Sequence, residues 1–224
     1  MTDASTTTIT LTVDDRAIQA PEGSSVLSAC LAADIYIPHL CWLKVDTPAD
    51  APAACRLCFV EIDGFSEPVT ACTMTVENGM VVHTDTDAVR ALQKTALKLL
   101  LSVHRVDCKN CPANKACALQ AIAKFLKTGL GCKPFERVLK EPEIDSRHPV
   151  FDYYCNRCVL CGLCVSVCGQ LNAQAQLSFA GRGFDTVVGY FGADPAATAG
   201  CTACRACLDV CPTGALVEKT ADGR

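Results

Sequence analysis

Apolar and polar side chains alternate through the first eighty residues. Ile9, Leu11 and Val13 recur at every second position, which predicts a strand over residues 8–13 with one buried face. Asp14, Asp15 and Arg16 read as a turn, and Ala17, Ile18 and Gln19 begin a return strand. The period then changes. Val26, Leu27, Cys30 and Leu31 fall on one face of a helix that Ser24 or Ser25 would cap and that runs to about Ala33. Cys30 on that face reads as a core thiol. Residues 59–62, 69–72 and 80–83 read as further short strands. A second helical period follows an Asp85-Thr86-Asp87 start, with Val89, Leu92, Ala96, Leu99, Leu100 and Val103 as its stripe. A third helix is expected over residues 118–127, stopping at Thr128-Gly129. Pro134, Pro142 and Pro149, among acidic residues, read as a linker. Residues 177–190 read as a hairpin around Gly181-Arg182-Gly183, and Leu216-Val217-Glu218 as a last short strand.

These boundaries suggest three segments: 1–83, 84–148 and 149–224. The whole is an α+β chain of small domains. Hydrophobic residues make up 50%, but that figure includes 18 cysteines, and aromatics are only 6%. Small folds held together by metal groups fit such numbers. The formal charge of −4 comes with no basic stripe, so nothing points to nucleic acid or an anionic membrane. The residues from Met1 to Thr8 have neither a basic nor an apolar leader region, and no apolar run is long enough for a transmembrane segment. The expectation is a soluble cytoplasmic protein whose thiols stay reduced and hold metal.

The cysteine spacing sharpens this. Nine of the eighteen lie between Cys155 and Cys211. Cys158, Cys161, Cys164 and Cys168 repeat the spacing of Cys201, Cys204, Cys207 and Cys211, and Pro212 follows the last. That C-x2-C-x2-C-x3-C run is the bacterial-ferredoxin pattern, in which three thiolates hold one [4Fe–4S] cube and the fourth crosses to the other. Cys155 fits a competing register, but the x3 step before Cys168 and Cys211 leaves it a spare. Gly169 stands where the motif usually has proline. Earlier, Cys41, Cys55, Cys58 and Cys72 form C-x13-C-x2-C-x13-C, for which [2Fe–2S] and zinc both stay open. His104, Cys108, Cys111 and Cys117 lie within fourteen residues. Zinc as Cys3His and a cube with one imidazole ligand are both compatible with that set. His39, His83 and His148 lack such company and read as ordinary histidines. Cys132 reads as a free thiol.

The order of these motifs resembles the N-terminal iron–sulfur region shared by [FeFe] hydrogenases, the large iron–sulfur subunit of complex I, NAD-linked formate dehydrogenase alpha subunits and the small diaphorase subunit of NAD-reducing hydrogenases. The likeness rests on Ile37-Pro38-His39-Leu40-Cys41, Cys55-Arg56-Leu57-Cys58-Phe59-Val60-Glu61, Val69-Thr70-Ala71-Cys72, the His104 to Cys117 set, Arg182-Gly183-Phe184, and Val210-Cys211-Pro212-Thr213-Gly214-Ala215-Leu216. It implies a β-grasp [2Fe–2S] domain, a small helical domain with a His-ligated [4Fe–4S] cube, and a ferredoxin-like domain with two [4Fe–4S] cubes. One [2Fe–2S] and three [4Fe–4S] clusters follow from it, with the zinc options set aside. The loop over residues 47–54 is longer than in closer relatives.

No G-x-G-x-x-G, no P-loop and no nucleophile–base pair occurs, and thirteen residues follow Cys211. The expectation is a non-catalytic electron-transfer subunit of a multi-subunit NAD(P)-linked oxidoreductase, such as a hydrogenase, formate dehydrogenase or electron-bifurcating complex. Its partners would be a flavoprotein NAD(P)-binding subunit and a further redox or catalytic subunit, with ferredoxin as another candidate. A free-standing multi-cluster carrier and a zinc-stabilised interaction module are the alternatives.

Overall fold

The computed structural model describes residues 7–43, 52–171, 175–191 and 200–219. The chain divides into two units, residues 1–97 and 98–224.

In the first unit, β1 (Thr8–Val13) and β2 (Arg16–Pro21) form an antiparallel hairpin in full register from Thr8↔Pro21 to Val13↔Arg16. Asp14 and Asp15 join them at φ 46° and 64°. Positive φ at both central residues matches the strand twist, and aspartate tolerates it. The Asp14 carboxylate also accepts from the Thr84 amide at 2.7 Å. Helix α1 (Val26–Ala32) is capped by Ser25, whose hydroxyl accepts from the Ser28 amide at 3.0 Å. Strands β3 (Phe59–Ile62), β4 (Val69–Thr70) and β5 (Val81–His83) complete a five-stranded sheet of order β2-β1-β5-β3-β4. The β1–β5 pair is parallel and the others antiparallel. One core joins Leu11, Val13, Ile18, Val26, Leu27, Val60 and Val82. Cys30 is fully buried within it, and burial pushes its thiol up to about 12. Cys30 is thus the core thiol that the helical period implied.

Helix α2 (Asp87–Ser102) spans the unit boundary. Thr86 opens it by accepting from the Val89 amide. Its buried face is not the expected stripe: Val89, Gln93, Ala96, Leu97 and Leu101 are buried, while Leu99 is 49% exposed. Gln93 is the reason. Its Nε2 donates to the Phe59 carbonyl at 3.1 Å, so a polar residue sits where an apolar one was sought and the stripe is rotated.

In the second unit, a 3-10 turn at Cys108–Asn110 precedes α3 (Ala118–Phe125). The expected linker contains β6 (Ile144–Asp145), which pairs with β7 (Phe151–Tyr154). Helix α4 (Leu163–Leu171) leads to the hairpin of β8 (Leu177–Ala180) and β9 (Val187–Tyr190), and α5 (Cys201–Cys204) and α6 (Ala206–Asp209) lead to β10 (Leu216–Glu218). Strand β10 pairs with β7 through Leu216↔Tyr153. The strand before the first cysteine run is therefore laced to the strand after the second, which folds the two runs onto each other.

Candidate metal centres

Cys41, Cys55, Cys58 and Cys72 are all buried in the first unit. Arg56, in the left-handed region at φ 51°, turns the chain between Cys55 and Cys58. The four thiols make two hydrogen-bonded couples, Cys41 with Cys55 and Cys58 with Cys72. The Cys55 amide also donates to Cys41 Sγ at 3.4 Å. The Cys55 thiol, helped by backbone amides, lowers Cys41 to about 6 against the opposing effect of burial. Cys72 is likewise lowered, first by the Cys58 thiol. Cys55 and Cys58 are pushed up by the same sharing and by burial. Each couple thus favours keeping its proton on one partner, Cys55 or Cys58, and eases its loss from the other. Residues 47–51 of the long ligand loop lie outside the described residues.

In the second unit three cavities of similar size, with about 310, 340 and 380 Å³ of empty volume, each collect four of the remaining predicted residues. The 310 Å³ cavity is lined by His104, Cys108, Cys111 and Cys117, with Arg157 and Gly214 in its wall. His104 Nδ1 is buried without a hydrogen-bond partner. Burial lowers the ring to about 4, partly offset by the Arg157 carbonyl. At neutral pH the imidazole is uncharged, which is the form a metal ligand needs. An orphaned nitrogen facing three thiols fits a metal group. The wall is equally telling. A Cβ built on Gly214 would lie 2.5 Å from Cys111 Sγ, so only glycine allows the chain this close.

The two ferredoxin runs exchange their fourth cysteines. Cys158, Cys161 and Cys164 share the 340 Å³ cavity with Cys211, while Cys201, Cys204 and Cys207 share the 380 Å³ cavity with Cys168. The electrostatics follow the same division. After burial, Cys168 is the next cause raising Cys207, to about 11, and Cys201 feels the same neighbour. Cys211 is among the groups raising Cys158 and Cys164. Buried thiols that also raise one another need a cationic group between them before all can be thiolates. Among the described residues, no three His, Cys, Asp or Glu side chains converge tightly enough to hold a single ion. The loops repeat a device: Gly162 has φ 81°, and Arg205, its counterpart in the second run, adopts φ 51°. Arg205 pairs with Glu218.

The cavity of Cys158, Cys161, Cys164 and Cys211, the inner one, is the more closed: its first three cysteines are buried and Cys211 is half-buried, whereas in the other cavity Cys204 is exposed. Cys155 lies outside both four-cysteine sets. It opens instead onto a wide cleft with Lys140, Asp145, Arg147 and Phe184, and burial raises its thiol. Cys132 is buried and donates to the Phe135 carbonyl.

Sequence reasoning gave no part in these sites to three residues. His148, only 4% exposed, lines the Cys168/Cys201 cavity and stacks on Phe151 at 3.8 Å between ring centroids. Burial, then Lys219, lowers it to about 4. Tyr153 lines the Cys158 cavity, and burial pushes its hydroxyl up. Gly214 closes the His104 cavity. The only prior signal among the three was glycine in the Cys211-Pro212-Thr213-Gly214 motif.

Three family models match in succession: a 2Fe-2S iron-sulfur cluster binding domain over residues 6–87, the NADH-ubiquinone oxidoreductase-G iron-sulfur binding region over 93–128, and a 4Fe-4S dicluster domain over 157–215. A chain in the crystal structure of NAD+-reducing [NiFe]-hydrogenase in the H2-reduced state is 30% identical. It superposes with a TM-score of 0.80 over 95% of this chain and 88% of that one. The chain belongs to this iron–sulfur electron-transfer family. Curated relatives agree with it. NADP-reducing hydrogenase subunit HndD of Solidesulfovibrio fructosivorans is 34% identical over 94% of this chain. NADPH-Fe(3+) oxidoreductase subunit alpha of Geobacter sulfurreducens is 32% identical, and an NADH-quinone oxidoreductase subunit of Rhizobium meliloti 34%, each over 94% of this chain. The chain spans 36% of the first relative and 24% of the other two. The chain carries [2Fe–2S]- and [4Fe–4S]-binding domains. Among the described residues no helix is long and apolar enough to cross a membrane.

Proposed function

We propose that this chain is the cluster-bearing relay of a multi-subunit NAD(P)-linked oxidoreductase in the cytoplasm. It would hold one [2Fe–2S] and three [4Fe–4S] clusters in segments 1–83, 84–148 and 149–224. Cys41, Cys55, Cys58 and Cys72 would hold the first. His104, Cys108, Cys111 and Cys117 hold the second. Cys158, Cys161, Cys164 and Cys211 hold the third, and Cys168, Cys201, Cys204 and Cys207 the fourth. The observation that carries this reading is the exchange of Cys211 and Cys168 between neighbouring cavities. A pattern that swaps its fourth ligand is the signature of paired cubes, and separate zinc sites have no use for it.

When bound, the clusters supply reversible one-electron chemistry at potentials set by their surroundings. The chain's own residues do the rest. Val159, Val188, Pro212 and Leu216 line the inner cavity and keep water from it. His104 presents a neutral ligand where the other cavities present a fourth thiolate. The peptide at Pro212 and Thr213 lines one cavity, and the next residue, Gly214, lines another. The two sites are therefore one strand of backbone apart, a separation suited to electron exchange. A flavin and nicotinamide site would lie in a partner flavoprotein, and a further redox or catalytic subunit, or ferredoxin, at the other end.

The test is iron and acid-labile sulfide on the anaerobically purified chain, followed by co-purification from its native extract. About fourteen iron per chain and a stable complex with a flavoprotein are expected. Zinc without sulfide would overturn the relay. A lone monomer carrying all the iron would make it a free carrier instead.

A further inference from the structure

Tyr153 stands on β7 with its ring against the inner cavity, beside Cys158, Cys161 and Cys164. It is 4% exposed. Its hydroxyl oxygen accepts from the Val188 amide on β9 at 3.2 Å. A phenol has a single O–H to donate, and the amide has already occupied one acceptor position of the oxygen. The hydrogen must point elsewhere, and the hydrogen-bond partner that the hydroxyl has is the side chain of Cys158. Strand pairing fixes the arrangement from both sides: Tyr153 is registered against Leu216 on β10, and Val188 against Phe179 on β8. The Val188 amide therefore orients the phenol, and the phenol addresses the sulfur.

In the other ferredoxin cavity, Cys168 Sγ accepts from the Gln176 amide at 3.3 Å, a backbone donor like the Leu160 amide on Cys158 Sγ at 3.4 Å. The second cavity is also open at Cys204. A closed apolar pocket disfavours the extra negative charge of a reduced cluster and lowers its potential. A hydrogen bond to a ligand sulfur stabilises that charge and raises it.

Resting on the ligand sets proposed above, we infer that Tyr153 donates a hydrogen bond to the Cys158 thiolate and so raises the potential of the inner cube above the value its burial would impose. Tyr153 is a positioning and tuning residue, not a ligand.

The test uses the full chain loaded with clusters, with wild type, Tyr153→Phe and a variant bearing 3-fluorotyrosine at position 153. Redox titration is followed by electron paramagnetic resonance, with iron and sulfide measured on each sample. Tyr153→Phe removes only the hydroxyl, and one [4Fe–4S] midpoint is expected to move down while the others hold. Fluorination makes the phenol a stronger donor without changing the fold, and the same midpoint is expected to move up. Unchanged midpoints at unchanged iron content overturn the inference. Should Tyr153→Phe lose a cube, the fluorinated chain decides alone: an upward shift supports the hydrogen bond and no shift refutes it. A wild-type chain with no cube at Cys158, Cys161, Cys164 and Cys211 overturns both the inference and the ligand assignment. The wild-type iron count tells that failure from a failure of Tyr153 alone.

Discussion

Gly214→Ala isolates the architecture of the His104 site. Gly214 has no positive φ among the described backbone, so alanine brings no conformational penalty and the effect is steric. The new methyl would lie 2.5 Å from Cys111 Sγ and 3.4 Å from Ala113 Cβ. An ordinary contact needs about 3.5–4.0 Å, so the sulfur or the peptide must give by about 1 Å. Neither side is loose. The Ala118 amide donates to the Pro212 carbonyl at 3.0 Å, and the Tyr154 amide to the Ala215 carbonyl at 2.8 Å, pinning the strand on both flanks. Cys111 is held through its own amide and through the Asn114 amide that its carbonyl accepts. Overpacking of this kind costs about 1–3 kcal/mol, and a metal site tolerates errors of only about 0.2 Å in its ligand distances. The expected result is loss of one cube, from about fourteen iron per chain to about ten, with the [2Fe–2S] and both ferredoxin cubes retained. Gly131→Ala is the control, since nothing lies within 4 Å of a Cβ there. A Gly214→Ala chain with full iron and an unaltered spectrum would refute the reasoning.

Three further outcomes are expected. His104→Cys should keep a cube and shift its midpoint down in a redox titration, because a thiolate replaces a neutral ring. Cys155→Ser should leave iron and sulfide unchanged, and a missing cube would put Cys155 among the ligands. His148, at about 4 in the fold against 6.5 as a free side chain, binds a proton more readily when unfolded. Its contribution to stability is therefore complete above about pH 6.5 and is lost as pH falls towards 4. Urea titrations across that window should show a flatter acid slope for His148→Phe than for wild type.

The sequence was most legible where a local period or a fixed spacing carries the signal. The β1–β2 hairpin, α1 and the final strand need only alternation, a serine cap and a turn, and each lies within a residue or two of its expected place. Long-range contacts were opaque. β6 is two residues long and has no period of its own; it exists because β7 pairs with it. Gln93 has no place in an apolar stripe, and only the Phe59 carbonyl, distant in sequence, gives it a buried partner. His148 read as an ordinary histidine because Tyr190, distant in sequence, stands against its ring only once the chain has folded. The cysteine spacings named the sets, but no spacing announces that Gly214 forms the wall behind Cys111.

That wall bears on the order in which the protein is made. The His104 cavity draws its histidine and three cysteines from one short stretch, yet its closing residue, Gly214, comes about a hundred positions later along the chain. Both ferredoxin cavities likewise wait for the second run to supply Cys211 or to meet Cys168. A nascent chain emerging from the ribosome therefore completes its first thiol quartet, at Cys72, long before any of the other three pockets can shut. If these residues hold the clusters proposed for them, synthesis itself would stage the loading: the [2Fe–2S] site first, then three cubes almost together, once β10 has found β7.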